Sequence, residues 1–417
     1  MDDGMAPLHP LPASDDAPEV TPEQFRQSFG EDLRQTLDLS TWSAGEDLSA
    51  DYQRVEEEVR AAVAREDVLL DKIRAEIFPR LGGYPGAPPG AGVYAATVPA
   101  IERIHRGLLF NGGIEACDAT RRVHDTLPLT IFQIGVSLVS YQGNQGTWFQ
   151  RLFRRDLRVA GGDPAAEMQE LLERREQRGG LNQPSRRDTL SELAQRGIMA
   201  YAERAILLKR STATWRMGHG NPAPYELLTG SGNLDLMLES TKVIRELVEG
   251  HQKFVYVASE PTDRVLLTIG QALHPLEYAI VTTLRDHIDK TVENGHYRGR
   301  VTSDTVWDGV TLTPEQWIKR FRDVVAPQIV VGVYRATRLA PAQLFYAHVA
   351  HADLAAHIIL ADSILQEQRG FPLLIDLADN VCRGVFGSDT INAPVSTAYA
   401  DAGAPWRFQS ERVTRGG

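Results

Sequence analysis

The chain has 417 residues, of which 42% are hydrophobic, and a formal net charge of -11. That length supports a large core and one to three domains. The two cysteines, Cys117 and Cys382, exclude a multi-bridge disulfide framework, and no apolar run approaches the roughly 18 residues of a membrane span. With a leading segment unlike a signal peptide, this predicts a reducing, cytoplasmic setting with no membrane attachment.

The charge is unevenly spread. Residues 1–80 carry 19 Asp and Glu against 8 Lys and Arg, leaving 36 of each sign in the rest. Residues 121–210 hold 15 bases and 10 acids. The acidity is confined to the N-terminal segment, and a polyanionic partner is compatible with the remainder.

The first twenty residues, rich in Asp, Pro and Ala, read as a flexible tail. "TPEQFRQSFGEDLRQTLDL" opens with Thr21, Pro22 and Glu23 or Gln24 where a helix start wants them. The stretch from Ser49 to Leu81 predicts a long amphipathic helix, with Val55, Val59, Val63, Leu69, Ile73 and Ile77 near one side. "GGYPGAPPGAG" then breaks the pattern. Residues 21–90 are thus expected to form an acidic helical arm and a linker.

Beyond the linker the pattern turns α/β. "GIEACDA" predicts a short strand, "LTIFQIGVSLVSYQG" a long one, and "PAAEMQELLERREQRGG" a polar helix. A helix is expected from Arg186 to Arg210, capped by Asp188. "YELLTGSG" reads as a strand entering a glycine turn, "LDLMLESTKVIRELVEG" as a helix and "KFVYVASEP" as a strand. "QIVVGVYRAT" and "QLFYAHVAH" suggest a hairpin, followed by helices in "ADLAAHIILADSILQEQRG" and "FPLLIDLADNVCRGVFG". A hairpin among helices implies a mixed sheet.

Several residues invite chemistry. Asp118, in "GGIEACDATRR", stands near the end of a predicted core strand, where an ionised carboxylate needs a partner or a metal. It reads either as a turn Asp or as a ligand. Glu203 lies on an otherwise apolar helix side, beside Met199, Ala202, Ala205 and Ile206, and reads either as an ion-pair partner of Arg204 or as a pocket carboxylate. Two such carboxylates suit a hard divalent cation that stabilises phosphoryl charge and activates water. "GTWFQRLFRRDLR" sets Trp148, Phe149 and Phe153 among Arg151, Arg154, Arg155 and Arg158, a mixture suited to single-stranded nucleic acid or to a hairpin leading into an amphipathic helix with a solvated arginine face. The loop at Gly230–Gly232 has no following Lys, so an NTPase is rejected. His348, His351 and His357 fit no i, i+4 zinc pair. No G-x-S-x-G elbow is present, so a serine hydrolase is poorly supported.

The order of these pieces resembles the NurA family of nucleases. "ACDATRR" stands as the first family motif, "AYAERAIL" as the helix Glu, "LLTGSGN" as the second turn and "GFPLLIDLADN" as the late motif, over about residues 95–385. The resemblance implies an α/β fold with an RNase H-like mixed sheet flanked by helices. The domain division it implies is a tail at 1–20, the arm and linker at 21–90, a nuclease domain at 91–395 and a tail at 396–417. It implies a homodimer using Mn²⁺ or Mg²⁺ and acting on DNA with a HerA-like hexameric ATPase, in end processing or phage defence. Asp118 and Glu203 carry over as metal ligands, and Asp379 stands near the family's late His as a further catalytic candidate. Arg121, Arg122, Trp148, Arg151, Arg154 and Arg155 are the expected DNA contacts. The second family Asp falls at Thr229, which leaves a catalytically silent adaptor of the same fold as the alternative.

Overall fold

The structure is a computed structural model that describes residues 21–42, 45, 48–125, 129–154, 165–166, 169, 192–259, 261, 263–295, 297 and 305–405. The chain divides into two compact units, Met1–Leu69 and Leu70–Gly417.

In the first unit α1 (Pro22–Phe29) opens on the expected capping box. Thr21 accepts from the Gln24 N–H, and Gln24 accepts from the Thr21 N–H. The short α2 (Leu33–Thr36) follows, and then the long α3 (Leu48–Glu76), whose last residues from Leu70 on belong to the second unit. No described residue from 21 to 69 is buried. The helix expected to reach Leu81 stops at Glu76. Pro79 lacks an N–H and disfavours helix at the residue before it, so Phe78–Gly83 winds as a 3₁₀ segment.

The second unit is built on nine strands in the order β1-β7-β10-β11-β6-β5-β2-β3-β4. In chain order these are β1 (Gly92–Ala95), β2 (Ile114–Asp125), β3 (Thr130–Ser140), β4 (Gly143–Arg154), β5 (Trp215–His219) and β6 (Phe254–Ala258). After a separate small hairpin pair, β8 (Val306–Trp307) and β9 (Val310–Thr311), the sheet is completed by β10 (Ile329–Arg335) and β11 (Gln343–His348). β7 (Glu277–Thr283) lies between β6 and that small pair in sequence. The helices are α4 (Val98–Ile104), α5 (Glu192–Arg210), α6 (Tyr225–Leu228), α7 (Leu234–Glu246), α8 (Arg264–Gln271), α9 (Leu284–Asn294), α10 (Pro314–Arg320), α11 (Ala352–Ser363), α12 (Leu373–Phe386) and α13 (Ser388–Asp401).

β2, β3 and β4 form an antiparallel meander. β5 runs parallel to β2, and β6 parallel to β5. From the β4 edge inward these five strands stand third, second, first, fourth and fifth, which is the RNase H-like order. β11, β10, β7 and β1 extend the sheet with antiparallel pairings. The expected mixed sheet and the β10–β11 hairpin are both present. Helices cover both faces, so β6, β10 and β11 are nearly continuous apolar runs rather than alternating ones. One core packs Leu207, Met237, Ile244, Ile288 and Trp317 against Cys117, Phe132 and Val136. The other packs Ile101, Ala355, Leu374 and Ala378 against Ile114 and Ala116.

Two expected strands differ. The strand begun by "GIEACDA" does not end near Asp118; it runs on to Asp125, because β3 pairs with it from Ala116 to Asp125. "YELLTGSG" is not a strand. Pro222 and Pro224 withhold ladder donors there, and the chain forms α6 and a 3₁₀ turn at Gly230–Gly232, with Gly230 at φ 57°. "GTWFQRLFR" lies in β4, an edge strand. The polar helix expected in "PAAEMQELLERREQRGG" and the Asp188 cap lie outside the described residues, save residues 165, 166 and 169.

Candidate active site

β2 alternates between the two cores. Cys117 joins the core under α5, and Ala116 the core under α11 and α12. Period two therefore turns Asp118 toward α12. The β5 pairing ends at Cys117, so Asp118 stands just past the point where β2 and β5 diverge. It is 6% exposed. Asp118 is therefore not at the end of its strand, as expected, but in mid-strand, where the pairing of β2 with β5 stops.

Three other groups meet it. Glu203 comes from α5, 6% exposed, with its backbone carbonyl accepting from Cys117 Sγ at 3.5 Å. Its Oε2 lies 3.6 Å from Arg204 Nη1, while its buried Oε1 has no hydrogen-bond partner. His219 ends β5, with Nδ1 3.5 Å from Asp118 Oδ1 and its ring edge-on to Phe371 at 5.6 Å. Asp379 projects from α12, accepts from Arg383 Nε at 2.7 Å, and shares a hydrogen bond with Asp118. Asp118, Glu203 and Asp379, all expected from sequence, are thus brought together.

His219 was not expected. Thr229 does not end a strand, as the reading of "YELLTGSG" expected. Thr229 follows α6, and its hydroxyl donates to the Tyr225 carbonyl at 2.8 Å. The strand after α5 is "WRMGH", and its terminal residue is His219. The nearby acids do not take its place: Glu226 faces Arg196 at 3.6 Å, and Asp235 sits in the first turn of α7. The available signal was the alternation in Trp215–Met217 before the turn "GHGNP".

Neighbouring residues fix the frame. Arg204, 4% exposed, donates to the carbonyls of Ala200 at 3.0 Å, Pro222 at 2.8 Å and Asn221, tying α5 to the turn after His219. Its guanidinium lies 5.4 Å from the Tyr256 ring centroid. A Cβ on Gly218 would meet Tyr256 Cε1 at 2.2 Å, so only glycine lets that ring lie across β5. α12 is bonded to β3 by Ser137 Oγ donating to Ala378 O at 2.7 Å and Gln133 Nε2 to Phe386 O at 3.3 Å.

The electrostatics follow from burial. Burial raises the Glu203 carboxyl to about 7, against the opposing pull of Arg204 and with the help of Asp118. Burial first, then the Asp118 charge, raises Asp379. The hydrogen bond to Asp118 raises the His219 imidazole. Three carboxylates and an imidazole are hard-to-borderline donors suited to Mn²⁺ or Mg²⁺, and the unpartnered Glu203 Oε1 is a spare buried acceptor. Among the described residues, no three His, Cys, Asp or Glu side chains are gathered closely enough to hold an ion as they stand. Each carboxylate leans toward its own cation: Asp118 to His219, Glu203 to Arg204, Asp379 to Arg383. The donor set fits a divalent cation in kind.

A groove of about 580 Å³ begins one residue past Asp118, lined by Thr120, Arg121, Arg122, Gln195 and Met199. Arg121 Nη1 donates to Gln195 Oε1 at 3.0 Å, and the buried Arg122 Nε has no partner. Trp148 and Arg151 do not form one platform. Trp148 pairs across from Val136 and is half-buried on the α5 face. Arg151 lies opposite Gln133, donating to its Oε1 at 2.5 Å, on the α12 face. Alternation on a strand separates them. The Arg154 side chain and Arg155 lie outside the described residues.

No protein-family profile and no curated protein matches the chain. Among solved structures it is similar to the NurA nuclease from Sulfolobus solfataricus, at 9% identity and TM-score 0.43, over 85% of this chain and 99% of that one. It is also similar to NurA with manganese, at 9% identity and TM-score 0.38, over 83% and 98%. Endonuclease V of Ciona intestinalis in complex with DNA is similar at 11% identity and TM-score 0.26, over 65% and 84%.

Proposed function

We propose that the chain is a NurA-like, divalent-metal-dependent deoxyribonuclease that hydrolyses phosphodiesters at Asp118, Glu203, His219 and Asp379. The observation that carries this reading is the convergence of four polar groups from four separate elements on the first strand of an RNase H-like sheet. Asp118, Glu203 and Asp379 would hold the ion, with His219 as a fourth donor or as the group that orients Asp118. A divalent ion bound there would supply Lewis acidity toward a phosphoryl oxygen and lower the pKa of a water. Arg121 and Arg122 hold the phosphate backbone in the adjoining groove. Arg204 keeps Glu203 and the His219 turn in register.

The resemblance of its motifs adds the finer parts of the proposal: a homodimer working with a HerA-like hexameric ATPase on DNA ends, in repair or in phage defence. A second reading has its own observation. Each carboxylate already has a protein cation beside it, as in a closed ion-pair network of a silent adaptor.

The test is digestion of labelled single-stranded and linear duplex DNA with Mn²⁺, comparing wild type with Asp118→Ala. Cleavage lost in the variant supports the nuclease. Intact DNA with wild type, alone and with a HerA-like ATPase, while DNA binding persists, supports the adaptor.

A further inference from the structure

α3 carries an apolar seam that is exposed along its length among the described residues. Leu48, Tyr52, Val55, Val59, Ala62 and Leu69 recur at alternating steps of four and three, with Glu66 filling the remaining position. That is a heptad repeat of just over three turns of the pattern. Tyr52, Val55, Val59 and Leu69 are 62, 57, 54 and 58% exposed. No described residue from 21 to 69 is buried, so the described residues of this unit supply no core to hold the helix.

We propose that α3 pairs with α3 of a second copy of this chain as an antiparallel two-stranded coiled coil. The charges flanking the seam choose the direction. Asp51, Glu58, Arg65 and Lys72 lie at the same heptad position, just before each first core residue, and none has an ion pair within the chain among the described residues. In a parallel pair, Asp51 would face Glu56 of the second copy, and Glu66 would meet Glu66 in the core. In an antiparallel pair a single register satisfies everything at once. Tyr52 meets Leu69, Val59 meets Ala62, and Glu66 meets Val55. The same register sets Asp51 against Lys72 and Glu58 against Arg65. By symmetry each pairing occurs twice, so four opposite-charge pairs flank the seam. A basic protein partner would satisfy the acids but leave Arg65 and Lys72 facing like charge.

The experiment is sedimentation equilibrium on the full chain and on E58K, R65E and the E58K/R65E double variant. All three change exposed helix residues, and circular dichroism confirms that they fold. Expected is a wild-type dimer, weakened roughly tenfold by each single change and restored by the double swap. A wild-type monomer, or a dimer indifferent to both single changes, would overturn the proposal. So would a double variant weaker than either single one.

Discussion

Asp362 on α11 is wholly buried, accepts from Tyr141 OH, and accepts from the Leu374 N–H at 3.0 Å. It therefore caps α12, the helix that carries Asp379, from a neighbouring element. Burial raises its carboxyl from 3.8 to about 6. An acid raised in the folded state contributes most when protonated, so its stabilisation is full below about 3.8 and lost as pH rises through about 6. Asp362→Asn keeps an acceptor for Leu374 without the charge. It should stabilise the protein near pH 8 by up to roughly 3 kcal/mol, at about 1.36 kcal/mol per pKa unit, and hardly at all near pH 4. Thermal melts at the two values check this; an equal shift at both contradicts it. At His219, His219→Ala should lower metal-dependent cleavage by roughly two orders of magnitude, as loss of a ligand or ligand-orienting group does. His219→Asp should retain more activity than the alanine variant, since it keeps an oxygen donor at the end of β5. Activity of His219→Ala equal to wild type would remove the residue from the site.

At the scale of elements, the position of Asp379 depends on how α12 lies on β3. A Cβ on Gly135 would meet the Phe386 ring at 2.2 Å, and Cys382 Sγ donates to the Gly135 carbonyl at 3.3 Å. Gly135→Ala should push α12 off the sheet, costing about 1–3 kcal/mol by overpacking. It should also depress cleavage, although residue 135 touches no site carboxylate. Denaturant melts and cleavage rates measured together check it; unchanged stability contradicts the packing account. Arg204 is the corresponding staple on the other face. Arg204→Met leaves Glu203 without its cation and the Asn221 and Pro222 carbonyls without a donor, a loss of about 3–5 kcal/mol.

These same elements show what could be read in advance. β3, α7, β6, the β10–β11 hairpin and the two long C-terminal helices were legible, because their apolar periods are long and unambiguous. Asp118 and Glu203 stood out as polar residues on apolar elements, whereas Asp379 entered only through the late family motif. β5 was not: five residues with Arg216 and Gly218 inside carry too little pattern, and with β5 went His219. β1 and β7 escaped for a similar reason, since the four residues of β1 are only partly covered. Arg204 was noticed only as a partner of Glu203, because its bonds to Asn221 and Pro222 are made by folding α5 over the turn after β5.

Across the whole molecule, charge is sorted by region. The acids concentrate in residues 1–80, with 19 against 8 bases, while the groove beside Asp118 presents Arg121 and Arg122. Replacing these two arginines with glutamines should weaken DNA binding uniformly across sequences. The salt dependence of the affinity should become shallower by about one unit of slope for each phosphate no longer neutralised. Binding titrations over a range of salt concentrations check it, and an unchanged slope would place the DNA path elsewhere. On the proposed function, the convergence on β2 is a cation site and not a closed ion-pair network. A Mn²⁺ titration followed by electron paramagnetic resonance, on wild type and Asp118→Asn, tests it most directly. Expected is saturable binding by wild type that is lost or greatly weakened in Asp118→Asn. Wild type that binds no Mn²⁺, or binds it equally well without the Asp118 carboxylate, would contradict it.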